Sequence, residues 1–330
     1  MERDKTLDRM KGVAIIAMVI GHLSFMMRDL IYSFHMPLFF ITAGYVYKQR
    51  NIREAILKDA RRLLLPYLII GLITLMGMFV VNYECSLDGI IPCGVAFLWG
   101  AGTWHFSPIF GGAYVIGAIW FLLAMFWCKT CFNILHNLRI FSSLSMGGGI
   151  VLTFSALAIV IDHCLVNLPF GLLTGISALM FYYFGYVIRK YDVFKRMNIG
   201  IALLCLVLWL VAARYSNLEM ANLKYENPVL AVIGAVAASL FLYWMFSKVR
   251  SDLLAYIGTV SMAILCIHKT ITSTYLRSYF DIPFGWQQIL FDAFFIAIGI
   301  MIVSRIPLLA EIFGVHQWRI SKTKYIKTSE

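Results

Sequence analysis

Long apolar segments separated by short polar stretches cover most of this chain. Ten segments are long enough to be considered as membrane-crossing helices. They cover residues 12–28, 31–47, 63–83, 112–128, 146–162, 170–188, 198–213, 228–247, 254–273 and 286–306. Lipid offers backbone N–H and C=O groups no hydrogen-bond partner, so a spanning segment must satisfy them internally as a helix. The pattern therefore predicts an all-α, polytopic transmembrane helix bundle of about ten spans.

The composition supports a membrane protein and excludes an ordinary water-soluble one. Of the 330 residues, 61% are hydrophobic and only 14% are charged, against about 45–50% apolar and about 25% charged residues in a typical soluble chain. A single core cannot bury so much apolar side chain, so the excess must face lipid. We expect one membrane domain over residues 1–330, and no separate catalytic domain.

The basic residues are unevenly distributed between the segments. Of the 28 Lys and Arg residues, 23 lie in alternate connecting stretches. These stretches are 1–11, 48–62, 129–139, 189–196, 248–250 and 305–330. The positive-inside rule then predicts that both termini are cytoplasmic, in agreement with an even number of spans. The net charge of +11 is thus a topology signal, and we expect no nucleic-acid partner.

The longest predicted outer loop, residues 84–111, contains Cys85 and Cys93. A disulfide between them could persist on the outer side of a membrane, and two free thiols are equally compatible with the sequence. The loop either packs against the bundle or lies at the headgroups, anchored by Trp99 and Trp104. The other cysteines show no metal-ligand spacing, and we expect no metal.

His22 is an ionisable residue inside the first apolar segment. Such residues are costly in lipid and are candidates for function. Lys11 precedes it by eleven residues, which is about 16 Å on a helix, so His22 is expected near mid-membrane when Lys11 lies at the cytoplasmic surface. An imidazole suits proton transfer near neutral pH. The alternative is a histidine that only bonds across helices.

His35 lies two residues before Pro37 in the second apolar segment. Proline lacks an N–H, and it disfavours helical geometry in the residue before it. We expect the backbone near 32–36 to be unwound or to start a helix, with His35-Met36-Pro37 forming a non-helical shelf beside His22. Alternatively, Pro37 is the first helical residue, with Ser33 near the cap.

Three further groups of charged or polar residues are candidates. Lys58, Arg61 and Arg62 form a cationic cluster where the third segment begins, either as a membrane anchor or as a phosphate clamp. His268 and Lys269 lie towards the outer end of the ninth segment, where Lys269 either pairs with Asp281, contacts substrate or extends to the interface. Asp8 is spaced to pair with Lys11 on a helix.

These residues form an ordered set of motifs that resembles the acyltransferase-3 family of integral-membrane acyltransferases, and most closely its fucose 4-O-acetylase-like branch. The first two motifs are the most specific. The matching residues are Asp8, Lys11-Gly12 and Gly21-His22; Phe34-His35-Met36-Pro37-Leu38-Phe39-Phe40 and Ala43-Gly44-Tyr45; Arg61, Arg62, Pro66 and Tyr67; Trp120-Phe121-Leu122; and Ile257-Gly258, Ser261-Met262 and Ile267-His268. One departure is Ala43, where the family often has serine.

The resemblance implies transfer of an acyl group, by default acetyl, from cytoplasmic acetyl-CoA to a hydroxyl of a cell-surface or lipid-linked carbohydrate. It implies a multi-pass protein of the bacterial plasma membrane. His22 would be the base and His35 or a nearby backbone N–H would stabilise the oxyanion. The CoA phosphates would bind a cationic set, Lys11, Lys58, Arg61 and Arg62. Substrate binding or structural support would come from Asp8, Trp120, Ser261, His268 and Lys269.

Two other functions remain compatible with the residues. A transporter or flippase of a small molecule or lipid-linked sugar also has broken helices and intramembrane histidines. A sensor could keep the bundle and its ligand without transferring an acyl group. A covalent acyl-histidine intermediate, direct transfer and a homo-oligomer are also left open.

Overall fold

The computed structural model describes residues 3–22, 27–82, 94–102, 106–107, 111–112, 116–164, 168–273, 280, 282 and 285–315. Helices dominate these ranges. In chain order they are α1 (Lys5–Gly21), α2 (Arg28–Tyr32), α3 (His35–Tyr45), α4 (Ile52–Asp59), α5 (Leu65–Asn82), α6 (Trp120–Asn137), α7 (Leu144–Cys164), α8 (Leu172–Ser177), α9 (Leu179–Lys190), α10 (Ile199–Tyr215), α11 (Pro228–Lys248), α12 (Asp252–Thr259), α13 (Ser261–Ser273), α14 (Trp286–Arg305) and α15 (Pro307–Ile312).

Shorter elements connect these helices. Residues 94–99 form one more helical turn-and-a-half, and single 3₁₀ turns cover Gly117–Ile119, Ile140–Ser142, Pro169–Gly171, Val193–Arg196 and Met220–Asn222. Two antiparallel strand pairs are present, β1 (Phe106–Ser107) with β2 (Gly111–Gly112) and β3 (Leu218–Glu219) with β4 (Lys224–Tyr225). The all-α prediction is therefore confirmed, because the only strands in the described ranges are two residues long.

Four of the described helices are long and apolar enough to cross a membrane, namely α6 with its preceding 3₁₀ turn, α7, α11 and α14. Two bent pairs pass the same test together: α9 with the 3₁₀ turn and α8 before it, bent by 43°, and α12 with α13, bent by 68°. That gives up to six spans, so about ten spans and cytoplasmic termini stay predictions. Large apolar side chains such as Leu152, Leu203 and Phe294 are exposed, as expected for surfaces that face lipid.

The first two apolar segments are broken helices. Helix α1 ends at Gly21, α2 occupies only Arg28–Tyr32, and α3 begins at His35 after a non-helical Phe34. The chain does break where Pro37 indicated, but the predicted non-helical shelf is wrong. His35, Met36 and Pro37 form the first turn of α3, because proline is tolerated where a helix has no intrahelical acceptor for its N–H. Pro37 is the third residue of that helix, not the first.

Glycines bring two helix pairs into backbone contact. A Cβ on Gly12 of α1 would lie 2.2 Å from the Leu254 oxygen, and one on Gly258 of α12 would lie 1.7 Å from the Asp8 oxygen. Gly44 of α3 meets the backbone of α9 in the same way, 1.9 Å from the Tyr182 oxygen. Small residues allow this closeness in a membrane bundle, and they hold α1, α12, α3 and α9 around one side of the cavity described below.

A π-helical turn, Ala60–Leu64, joins α4 to α5. Pro66 has no N–H to donate to the carbonyl four residues earlier, and its ring crowds that carbonyl, so the widened turn has a local cause. Such turns inside helices are frequent at functional sites. This one contains Arg61 and Arg62 and changes which way successive side chains point.

Candidate functional site

A cavity of about 550 Å³ opens at the end of the bundle that carries the basic residues. Its wall contains seven cationic side chains and three carboxylates, so its net charge is positive by four. The cations are Arg3, Lys11, Lys48, Arg50, Lys58, Arg62 and Lys129, and the acids are Asp4, Asp8 and Asp59. This end is the one that the positive-inside rule predicts to be cytoplasmic.

Asp8 is the centre of one charged cluster in the cavity wall. Its carboxylate lies 2.5 Å from Arg3 Nε and 2.8 Å from Lys11 Nζ, which confirms the expected Asp8–Lys11 pair. Burial alone would raise the pKa of Asp8, but the two cations outweigh it and the pKa is lowered. Burial lowers the pKa of Lys11, and Asp8 offsets part of that effect. The cluster fixes the position of Lys11 on α1.

A second cluster joins α4 to α6. Lys129 pairs with Asp59, and both side chains are largely buried. Nearby, Asn133 Oδ1 accepts from the Tyr47 hydroxyl at 2.9 Å, and Asn133 Nδ2 donates to the Arg50 carbonyl at 3.1 Å. These bonds hold the backbone of Arg50, a residue that lines the cavity.

The predicted phosphate clamp is only partly at the cavity. Lys58 and Arg62 line it, and Arg61 is exposed and does not. Within the described residues, no carboxylate pairs with the side chains of Lys48, Arg50, Lys58 or Arg62. These four cations are therefore available to an anionic ligand.

The faces of three helices lead from the cavity to the histidines. On α1, the lining residues Lys11, Ile15 and Met18 recur every three or four positions, and His22 is the next residue on that face. The cavity thus begins at cations and continues along an apolar face towards His22.

Helices α13 and α3 repeat this arrangement. On α13, Ser261 and Leu265 line the cavity, and His268 is the next residue on their face. On α3, Phe39 and Thr42 line it, and His35 lies four and seven residues before them on the same face. Each of the three predicted histidines therefore shares a helix face with residues that line the cavity.

His22 and His268 contact each other although 246 residues separate them. His22 Nδ1 lies 3.1 Å from His268 Nε2. His268 Nδ1 in turn lies 3.0 Å from Asp292 Oδ2. The carboxylate sits off the direction that a hydrogen bond from Nδ1 would need, so this second contact is electrostatic. The three side chains form a continuous polar chain from α1 through α13 to α14.

Asp292 was not among the residues predicted for the site. It is 0% exposed, and His268 is 1% exposed. The sequence did contain a signal for Asp292. It is an ionisable residue within an apolar segment, and such residues are costly in lipid. Only the packing of α14 against α13 shows its partner.

His35 is buried at the start of α3. Its Nδ1 lies 2.7 Å from the Ile31 carbonyl oxygen, and its ring is 5.2 Å from that of Tyr32. A carbonyl can only accept, so Nδ1 carries the hydrogen and the neutral ring keeps a lone pair on Nε2. In this form Nε2 of His35 can accept a hydrogen bond and has no hydrogen to donate.

The remaining predicted residues lie around this region. Trp120 is buried at the start of α6. Lys269 packs on the 3₁₀ turn at Gly117, where an added Cβ would lie 3.0 Å from its Nζ. Trp99 is buried, which favours packing of its loop segment against the bundle.

Several predictions fall outside the described residues. They are the Cys85–Cys93 pair, Trp104 and the pairing of Lys269 with Asp281. Within the described residues, the His, Cys, Asp and Glu side chains form no group of three that could hold a metal ion.

Comparison with known proteins gives one match. The family model of the acyltransferase-3 family, described as an acyltransferase domain, matches residues 4–307. No curated protein and no solved structure matches the chain. The match includes the cavity lining except Arg3, Phe313 and Gly314, and it includes all three histidines and Asp292. We conclude that this membrane protein belongs to the acyltransferase-3 family.

Proposed function

We propose that the protein is a membrane O-acyltransferase that moves an acyl group, with acetyl as the expected one, from acyl-CoA to a carbohydrate hydroxyl. The observation that carries this proposal is a cavity lined by seven cationic side chains, whose lining residues Lys11, Ile15 and Met18 lie on the same face of α1 as His22. Membership of an acyltransferase family favours this activity over transport. The protein would act in the bacterial plasma membrane, with CoA on the cytoplasmic side.

The distance between the cations and His22 indicates which kind of acyl donor can reach both. Lys11 and His22 are eleven residues apart along α1, which corresponds to about 16 Å. A donor must therefore keep its phosphates far from its reacting carbonyl. Acyl-CoA does so, because an uncharged arm separates its phosphates from the thioester. Acetyl phosphate does not, and we expect it to be inactive.

The proposed reaction moves the acyl group from the sulfur of CoA to the oxygen of the acceptor hydroxyl. His22 Nδ1 faces His268, and in this proposal Nε2 is the ring nitrogen that accepts the proton of the acceptor hydroxyl. The hydroxyl oxygen bonds to the thioester carbon, the carbon–sulfur bond breaks, and the CoA thiolate takes the proton from His22. His35 Nε2 would accept a hydrogen bond from the acceptor. Backbone N–H groups in the first turn of α3 would stabilise the oxyanion.

Side chains suited to a carbohydrate lie on the far side of His22. The Tyr32 ring packs at Gly21, where an added Cβ would lie 3.2 Å from its Cε1. Arg28 lies over that ring at 4.9 Å and pairs with Glu219 at 2.7 Å. Aromatic faces, carboxylates and guanidinium groups all bind sugars, so this side would receive the acceptor opposite the CoA.

The experiment uses purified protein in liposomes with acetyl-CoA labelled in its acetyl group, with and without surface glycan. We would measure released CoA and label on glycan for wild type, His22→Ala and His35→Ala. The matched control is His163→Ala, because His163 is an exposed histidine on α7 that bonds only its own helix. We expect transfer in wild type and the control and its loss in His22→Ala.

The outcomes separate the candidate functions. Label trapped on wild-type protein but absent from His22→Ala would indicate a covalent acyl-histidine, and its absence would favour direct transfer. If acetyl-CoA neither binds nor turns over with glycan present, the acyltransferase proposal fails and transport becomes the better account.

A further inference from the structure

The polar chain from His22 to Asp292 lies outside the cavity lining and raises a separate question about which nitrogen of His22 carries the lone pair. Its two contacts, 3.1 Å and 3.0 Å, connect three helices. A neutral imidazole carries its hydrogen on one nitrogen and a lone pair on the other. Only a ring with the lone pair on Nε2 can accept a proton from a substrate on that side.

We propose that Asp292 and His268 are positioning residues that fix the tautomer of His22, so that its Nε2 carries the lone pair. The role in catalysis rests on the proposed acyltransferase function, and the tautomer itself does not. Neither residue touches the reacting atoms in this proposal. They act through His22.

The argument starts from the buried carboxylate. Asp292 is 0% exposed, and its negative charge 3.0 Å from His268 Nδ1 favours a hydrogen on that nitrogen. His268 Nε2 then holds a lone pair. That lone pair, 3.1 Å from His22 Nδ1, accepts the hydrogen of His22 Nδ1. The hydrogen of His22 is thereby held on Nδ1, and Nε2 is the base.

The same chain stabilises the charge that forms during the reaction. When His22 takes the substrate proton it becomes an imidazolium. The negative charge of Asp292, which lies 3.0 Å from His268 Nδ1, stabilises that positive charge through His268. Residues that contact a reacting histidine commonly orient its ring and compensate its charge in this way.

The first test reads the tautomer directly and does not require activity. We would label the histidines with ¹⁵N and record their ring nitrogens at about pH 9, above the ordinary imidazole pKa near 6.5. Seven histidines contribute signals, and His22→Ala identifies those of His22. We expect Nδ1–H on His22 in wild type. A wild-type His22 with hydrogen on Nε2 would overturn the proposal.

The second test removes the carboxylate with little change in volume. In Asp292→Leu, His268 loses the negative charge that favours a hydrogen on Nδ1. The hydrogen of His268 should then shift to Nε2 and drive the hydrogen of His22 to its own Nε2. Buried charges can often be replaced by apolar residues without loss of folding. Thermal unfolding and acetyl-CoA binding establish that the variant is intact, and Asp252→Asn, an exposed carboxylate paired with Lys5, controls for lost charge.

Kinetics then separate positioning from structure. We expect Asp292→Leu to lower kcat by about 10²–10⁴-fold, the range for loss of a general base, with KM for acetyl-CoA unchanged. Asp292→Glu should restore most of kcat. An unchanged His22 tautomer and kcat in folded Asp292→Leu would refute the proposal and leave the acyltransferase function intact. A wild type that transfers no acyl group would refute the function and leave the tautomer test standing.

Discussion

Two adjacent arginines in the π-helical turn provide the sharpest test of whether the cationic cavity binds the phosphates of acyl-CoA. Arg62 lines the cavity, and Arg61 is exposed outside it. Both have the same charge, sit in the same turn and precede the same proline. If the cavity binds the phosphates of acyl-CoA, Arg62→Gln should raise KM for acetyl-CoA, and Arg61→Gln should leave it within about twofold.

The size of the effect follows from the position of Arg62. A hydrogen bond to a charged group contributes about 1.5–3 kcal/mol, but Arg62 is itself exposed, and solvent screens an exposed charge. We therefore expect a loss of about 1–2 kcal/mol, which is a factor of about 5–30 in binding. The kcat at saturating acetyl-CoA should change little, because in this proposal Arg62 binds the phosphates and His22 acts at the reacting carbonyl.

The assay is initial-rate kinetics of CoA release in liposomes, repeated at low and high salt. Salt screens exposed charges, so the difference between wild type and Arg62→Gln should shrink at about 0.5 M salt. Equal KM values for the two variants would refute the assignment of the cavity as the phosphate site. A fall in kcat alone for Arg62→Gln would place Arg62 in the chemistry instead.

Two stability predictions follow from the packing around the cavity. Gly258→Ala would place a Cβ 1.7 Å from the Asp8 oxygen and should destabilise the protein by about 1–3 kcal/mol, seen as a lower Tm in detergent, whereas Gly149→Ala, which meets nothing within 4 Å, should not lower Tm. Asp59→Asn leaves Lys129 without its carboxylate in a largely buried site, so it should lower Tm strongly. Adding Lys129→Met should restore much of that loss, and a double variant less stable than Asp59→Asn would contradict the pairing argument.

The local part of the site could be predicted from the sequence because it depends on one helix. Lys11 and His22 are connected by α1, so their separation follows from the rise per residue. The Asp8–Lys11 pair follows from i,i+3 spacing. The helix start at His35 follows from Pro37, because proline is tolerated in the first turn of a helix, where its N–H would have no intrahelical acceptor.

The long-range part could not be predicted, because it depends on how distant helices pack. Nothing in the spacing of residues 22, 268 and 292 indicates that the three side chains meet. The same holds for Lys129 and Asp59, 70 residues apart. The sequence also did not predict which of the two arginines faces the cavity. A π-helical turn rotates successive side chains by a different angle from an α-helix, and the sequence predicted an ordinary helix there.

Three buried carboxylates lie near the site, and one of them, Asp292, contacts an imidazole. Asp8 and Asp59 contact lysine or arginine side chains, which can only donate hydrogen bonds. Asp292 contacts His268, an imidazole whose two nitrogens can exchange the donor and acceptor roles. A buried charge beside such a ring is a poor way to gain stability, since apolar residues would often serve better. It is a good way to control a proton, because the carboxylate favours one nitrogen of His268 and, through it, one nitrogen of His22.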